Sequence, residues 1–104
     1  MAYHADPSIM DEVVTIGTGA TYTTGGNFPL VVNGARAIDR LLSVTPLYGT
    51  NIAAFGNIQI GQAPTGRTGY IAVMGAATAG TAELANASTA LENVQLRVLY
   101  RAAA

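Results

Sequence analysis

The strongest constraint on the fold is the alternation of apolar and polar side chains over residues 94–101. This segment reads VQLRVLYR, so that every second residue is apolar. A period of two is typical of a strand with one buried and one exposed face. Shorter apolar runs, separated by Gly, Pro and Asn, bring the expected total to about seven or eight strands. No long helix pattern alternates with these runs, so an α/β fold is not expected.

These runs predict an all-β fold, either a compact antiparallel β-sandwich or a jelly-roll-like barrel. Strands are predicted at 13–16, 20–24, 30–32, 35–44, 52–60, 70–74 and 94–101. Gly56-Asn57 allows the 52–60 run to be two short strands or one strand with a bulge. Residues 1–12 contain Asp6-Pro7 and are predicted to form an extended N-terminal arm, followed by a single β domain over 13–104. The Ala-rich stretch allows one short helix within 81–91.

The dipeptide Asn33-Gly34 favours a two-residue type I′ hairpin turn, so a strand is expected directly after it. The following stretch, 35–44, fits two patterns. Its residues Ile38, Leu41 and Leu42 have helical spacing, but an alternating strand face also starts at Ile38. The hairpin signal favours the strand.

The composition excludes several classes of protein. The chain has 104 residues with a net charge of −1, and it contains no cysteine. Disulfides, zinc–thiolate sites and thiol nucleophiles are therefore excluded. All five basic residues are arginine. Protein interfaces are poor in lysine and rich in arginine and tyrosine, although a GC-rich genome gives the same bias.

No motif in the sequence predicts a catalytic, cofactor-binding or metal site, and an enzyme is not expected. The segment Gly17–Gly19 resembles a dinucleotide-binding turn, but Tyr22 stands where the last glycine is needed. His4 is the single histidine, and no triad partner is signalled. Asp11 and Glu12 are adjacent, so a strand would turn them to opposite faces.

Tyrosines and arginines are the expected anchors of a partner interface, because these residues dominate interface energetics. In the last predicted strand, Arg97 and Arg101 share one face with Leu99 between them. That face is either covered by a partner or exposed to solvent. Asp39 and Glu92 are expected to pair with arginines. The candidate interface residues are Tyr3, His4, Tyr48, Arg67, Arg97 and Arg101.

The chain resembles the small capsid decoration, or cement, proteins of tailed bacteriophages. The resemblance covers the whole chain: its length, the absence of cysteine, the Ala/Gly/Thr-rich composition, the polar arm and the closing segment ENVQLRVLYRA. It implies a structural virion protein without enzymatic activity. Such a protein binds the assembled shell at symmetry axes, often as a dimer or trimer, and stabilises it against internal DNA pressure. No functional residue carries over, because no motif is shared position by position.

The expected partners are therefore a major capsid protein and further copies of the chain, with no nucleic acid and no membrane. The first twelve residues contain no Lys or Arg, so no secretory leader is expected, and assembly in the host cytoplasm follows. Two alternatives remain: another phage head or tail component, or a small β domain that binds a sugar or nucleotide. The second is poorly matched by two Phe, five Tyr and no Trp.

Overall fold

In the computed structural model, six strands account for the regular structure of the described residues, which are 8–49, 55–75 and 82–103. The strands are β1 (Ile9–Thr15), β2 (Phe28–Val31), β3 (Ile38–Tyr48), β4 (Phe55–Ile60), β5 (Thr68–Gly75) and β6 (Gln95–Ala102). They form two antiparallel three-stranded sheets, β1-β6-β3 and β2-β5-β4. The predicted all-β class is confirmed, and the architecture is a small β-sandwich.

The core lies between the two sheets and is apolar apart from two tyrosine hydroxyls. Its buried side chains are Ile16, Tyr22, Phe28, Leu30, Val32, Ile38, Leu41, Val44, Ile71, Ala72, Val73, Leu91, Val94, Leu96, Val98, Tyr100 and Ala102. Full burial of one large apolar side chain stabilises a fold by about 1.5–3 kcal/mol. The rings of Tyr22 and Phe28 stack, with centroids 5.5 Å apart and planes inclined by 13°.

Strand β6 confirms the alternation from which its prediction came. Its inward side chains, from Leu96 to Ala102, are buried, whereas Arg97 and Arg101 point outward. β6 is the central strand of its sheet, paired with β1 on one side and β3 on the other. A strand with two partners and one buried face gives the clearest sequence pattern.

Strand β3 does not have the alternating face that was predicted for it. Three register shifts against β6, each adding one residue to β3, interrupt the alternation, as in β-bulges. Its buried residues are consequently Ile38, Leu41 and Val44, three apart, and not alternate residues. Spacing by three also explains why the segment resembled a helix. In β4, the single register shift lies between Phe55 and Asn57, which agrees with one strand containing a bulge.

The hairpin predicted at Asn33-Gly34 is wrong. β2 pairs with β5, and the chain then crosses to the other sheet before β3 begins. The turn fails because the amides of Asn33 and Gly34 donate to the Glu12 carboxylate, at 2.7 and 3.1 Å. Neither residue has the positive φ of a type I′ turn.

Three other boundaries differ from the sequence expectations. Residues 20–24 form no strand, because Tyr22 leaves the sheet pattern to place its ring in the core. The chain forms turns and a single bridge, not a helix, over residues 82–91. β1 begins at Ile9, earlier than the strand predicted at 13–16. Residues 1–7 of the predicted arm lie outside the described residues.

Tyr100 and Glu12 connect the β1-β6-β3 sheet to the crossing segment. The Tyr100 hydroxyl donates to Glu12, which also accepts the amides of Asn33 and Gly34. Burial, together with the bond to Glu12, raises the pKa of Tyr100 to about 12. Burial opposes ionisation of Glu12, but the three donors outweigh it and hold the pKa of Glu12 below its usual value.

Tyr22 and Glu83 make a second cluster of the same kind beside β5. The Tyr22 hydroxyl donates to Glu83 at 2.5 Å and accepts the amide of Val73 at 2.8 Å. Glu83 also accepts the amides of Gly25 and Gly26. Burial and the bond to Glu83 raise the pKa of Tyr22 to about 12. The Tyr22 hydroxyl is the main cause that lowers the pKa of Glu83, against the effect of burial.

Candidate interaction surface

The side of the β1-β6-β3 sheet that points away from the core, here called the outer face, carries most of the predicted interface residues that the structure describes. Along β1 the outward residues are Ile9, Asp11, Val13 and Thr15. Along β6 they are Gln95, Arg97, Leu99 and Arg101. Along β3 they are Asp39, Arg40, Leu42, Ser43, Thr45, Leu47 and Tyr48. The outer face therefore joins residues from both ends of the chain.

The outer face carries most of the exposed large hydrophobic side chains of the described residues. The described residues include seven exposed large hydrophobic side chains, and five of them lie here: Ile9, Val13, Leu42, Leu47 and Tyr48. The exposed fraction reaches 50% for Val13 and 70% for Tyr48. The register shifts of β3 expose Leu42 and Leu47, because each shift turns two successive residues outward. The solvent face of an antiparallel sheet is normally polar, so exposed apolar side chains on it favour a contact site.

Two ion pairs hold the charged side chains of the outer face in place. Arg97 donates hydrogen bonds to both carboxylate oxygens of Asp11 through two guanidinium nitrogens. Nη2 lies 2.6 Å from Oδ2, and Nε lies 3.0 Å from Oδ1. The hydrogen bond from Arg97 lowers the pKa of Asp11. Arg101 lies 3.6 Å from Asp39, so the expected pairing of Asp39 with an arginine is found. Glu92 instead accepts the amide of Gly19 at 2.8 Å.

Arg40 has no such partner. It is the register neighbour of Arg101, and no described residue forms a hydrogen bond or an ion pair with its side chain. Arg40 and Arg101 thus lie on adjacent strands at one end of the outer face, and Asp39 pairs with Arg101. Arg40 was not predicted as an interface residue, since nothing in the sequence indicates that the register shift after Ile38 turns it outward.

The structure brings three of the six predicted interface residues onto one surface. Arg97 and Arg101 lie in the middle strand of the outer face, and Tyr48 lies at its β3 edge. Arg67 lies elsewhere, in the loop before β5, where its Nη1 is 3.4 Å from the carbonyl of Gly34. Tyr3 and His4 lie outside the described residues.

A cavity of about 360 Å³ opens between β1 and β2, and Thr15 of the outer face is part of its lining. Its lining includes Val14, Ile16, Thr21, Thr23 and Phe28. This volume is at the lower end of the range typical of small-molecule sites. Phe28 is the one aromatic residue among the lining residues that the structure describes, and it is only 4% exposed. A sugar therefore finds no open aromatic ring to stack on at the described walls.

The acidic side chains whose pKa is shifted all accept hydrogen bonds from an arginine, a tyrosine or backbone amides. The pKa values of Asp11, Glu12 and Glu83 all lie below their usual values, so these carboxylates stay ionised at neutral pH. The part of the chain that the structure describes contains no group of three acidic, histidine or cysteine residues that could hold a metal ion. It also contains no helix long and apolar enough to cross a membrane.

Comparison with known proteins adds no relative from which a function could be transferred. No protein-family model matches the chain, and neither a curated protein nor a solved structure matches it. The chemistry of the outer face is therefore the main ground on which a function can be inferred.

Proposed function

We propose that this chain is a structural virion protein that decorates the assembled capsid of a tailed bacteriophage and stabilises the shell. The observation that carries the proposal is the outer face, with five exposed apolar side chains among three arginines. A sheet that covers one core normally turns polar residues to solvent on its other side. A partner that covers the outer face would explain why apolar residues lie on it.

The proposed partner is the major capsid protein, and the proposed location is the outside of the shell, assembled in the host cytoplasm. The resemblance to cement proteins supports this choice over other partners. Further copies of the chain would meet at a symmetry axis, as a dimer or trimer, through surfaces other than the outer face. A near-neutral chain without lysine is suited to such association.

The direct test is binding to shells assembled from the major capsid protein encoded in the same genome. The purified chain should sediment with these shells up to a fixed ratio and should raise the temperature at which they disassemble. Unassembled capsid protein should retain much less of the chain, because a cement site is complete only on the shell. Failure to sediment with the shells contradicts the proposal.

The chain offers a matched pair of variants for this assay. Val13 and Val31 are the same residue type and are 50% and 53% exposed, but they lie on β1 and β2, in different sheets. Val13→Glu should weaken binding to shells, because it places a charge within the proposed contact. Val31→Glu should bind as the parent does. Equal loss in both variants would show that the outer face is not the contact.

Two other functions give different results in simple assays. The cavity between β1 and β2 favours a small ligand-binding domain as the second candidate. Retention of the chain on a glycan array, abolished by a large residue at Thr21, would support that candidate. Rings or tubes formed by the chain alone would instead favour another head or tail component.

A further inference from the structure

The end of the outer face at Arg40 and Arg101 places two like charges side by side. These residues are register partners on β3 and β6. Directly opposed side chains on neighbouring antiparallel strands have Cβ atoms about 4.5–5.5 Å apart, and like charges at that spacing repel each other. Asp39, 3.6 Å from Arg101, supplies one carboxylate for the two guanidinium groups. The two arginines therefore carry one positive charge more than Asp39 neutralises.

The described part of the chain has no spare carboxylate to neutralise that charge. Its five acidic residues all have partners in the same chain. Asp11 and Asp39 pair with arginines, Glu12 and Glu83 accept tyrosine hydroxyls and amides, and Glu92 accepts an amide. On the outer face, three arginines stand against two aspartates, which leaves one positive charge unbalanced.

We infer that Arg40 and Arg101 together bind a carboxylate of an Asp or Glu side chain on the capsid protein. This inference rests on the proposed function, since it names the chemistry of the partner at the same face. A guanidinium binds a carboxylate through two parallel hydrogen bonds, and two adjacent arginines can hold both oxygens. The apolar Ile9 is the register neighbour of Arg101 on its other side. A partner seated on it would exclude water and strengthen the ion pair.

The charge of the outer face argues against a second copy of this chain as the occupant. Two copies packed face to face would each bring an excess of positive charge, while their aspartates are already held by arginines. Electrostatic complementarity sets specificity and suppresses wrong partners. A partner surface that is apolar and carries one acidic group therefore complements the outer face better than a second copy of the chain does.

The test compares charge variants in the shell-binding assay. Arg40→Glu and Arg101→Glu should each weaken binding by about tenfold or more, because a repulsive contact replaces an attractive one. Arg40→Lys should keep most of the affinity, since it keeps the charge. Val31→Glu is the control: it places a carboxylate at an exposed position of the other sheet, and it should bind like the parent. Added salt should weaken the parent more than Arg40→Glu.

Unchanged urea midpoints would show that the variants are folded, as expected for exposed side chains. If the parent binds shells and Arg40→Glu binds equally well, this inference is wrong while the proposed function stands. If the parent does not bind shells, both are overturned. If Arg40→Glu dissociates an oligomer in light scattering and leaves shell binding unchanged, the carboxylate belongs to a second copy, and the inference is again wrong.

Discussion

Tyr100 and Tyr22 make the same three-part contact in two different parts of the sandwich. Each hydroxyl donates to a glutamate that also accepts two successive backbone amides. Tyr100 lies in the central strand of one sheet, and Glu12 links it to the segment that leaves the other sheet. Tyr22 lies in no strand, and its hydroxyl also accepts an amide of β5. The Tyr100 contact connects the two sheets, whereas the Tyr22 contact supplies a hydrogen-bond acceptor to a strand of one sheet.

In both clusters, a carboxylate at the border of the apolar core is stabilised mainly by uncharged hydrogen-bond donors. Their largest stabilising contacts come from tyrosine hydroxyls and amides, and the charge of Arg67 has the smallest effect on Glu12. The clusters differ in which groups lose a hydrogen-bond partner when the tyrosine hydroxyl is removed. Without the Tyr100 hydroxyl, Glu12 keeps its two amides. Without the Tyr22 hydroxyl, the amide of Val73 also loses its acceptor.

The sharpest comparison between the clusters is removal of each hydroxyl. Tyr22→Phe should lower the free energy of unfolding by about 3 kcal/mol, because a bond to a charged acceptor is lost and a buried amide is left unpaired. Tyr100→Phe should cost about 2 kcal/mol, since only the first of these losses applies. Urea unfolding of the two variants measures the difference. Equal effects, or a larger effect at Tyr100, would contradict the role assigned to the Val73 amide.

The close packing at Gly34 gives the next largest expected effect. A Cβ at Gly34 would lie 2.6 Å from the Tyr100 hydroxyl and 3.2 Å from Oε2 of Glu12. Gly34→Ala should therefore destabilise the fold by about 2 kcal/mol, as overpacking does. Gly17→Ala is the matched control, because a Cβ there meets nothing within 4 Å. If both substitutions shift the urea midpoint equally, the effect is that of backbone entropy and not of the cluster.

The sequence pattern predicted correctly the strand in which apolar and polar residues alternate without interruption. The alternation of β6 survives because the strand has partners on both sides and no register shift against β1. β3 loses its alternation to three shifts, and no single residue in the sequence marks them. The pattern of β3 could be interpreted only after its partner was known.

The clusters and the outer face depended on contacts between residues far apart in the chain. Tyr22 and Glu83 are 61 residues apart, and Tyr100 and Glu12 are 88 apart. Asn33-Gly34 was interpreted from local preference, but the Glu12 carboxylate takes both amides that a hairpin would use. Arg97 and Arg101 could be placed on one face from their spacing alone. Arg40 could not, because a register shift decides where it points.

A change of pH tests the feature that the two clusters share. Unfolded glutamates titrate near their usual 4.5, whereas Glu12 and Glu83 titrate lower in the folded chain. Between those values the unfolded state binds more protons, so the free energy of unfolding falls as pH falls below about 4.5. Glu12→Gln and Glu83→Gln should each cost about 1 kcal/mol at neutral pH.

The double variant, Glu12→Gln with Glu83→Gln, is the control for this pH dependence. Its urea midpoint should depend less on pH than that of the parent below pH 4.5, since the two titrating groups are gone. An unchanged slope would assign the acid sensitivity to other carboxylates, such as Asp11. Each single variant should remove a part of the slope.

Asp11 offers the smallest expected effect and the clearest contrast with Glu12. The two residues are adjacent in β1 but face opposite sides, and Asp11 pairs with Arg97 in solvent. Exposed ion pairs add little to stability, because water screens the charges and both side chains lose freedom. Asp11→Asn should therefore leave the urea midpoint unchanged within error, while Glu12→Gln lowers it. If Asp11→Asn lowers the urea midpoint as much as Glu12→Gln does, a charged partner contributes more to stability here than burial of the carboxylate does.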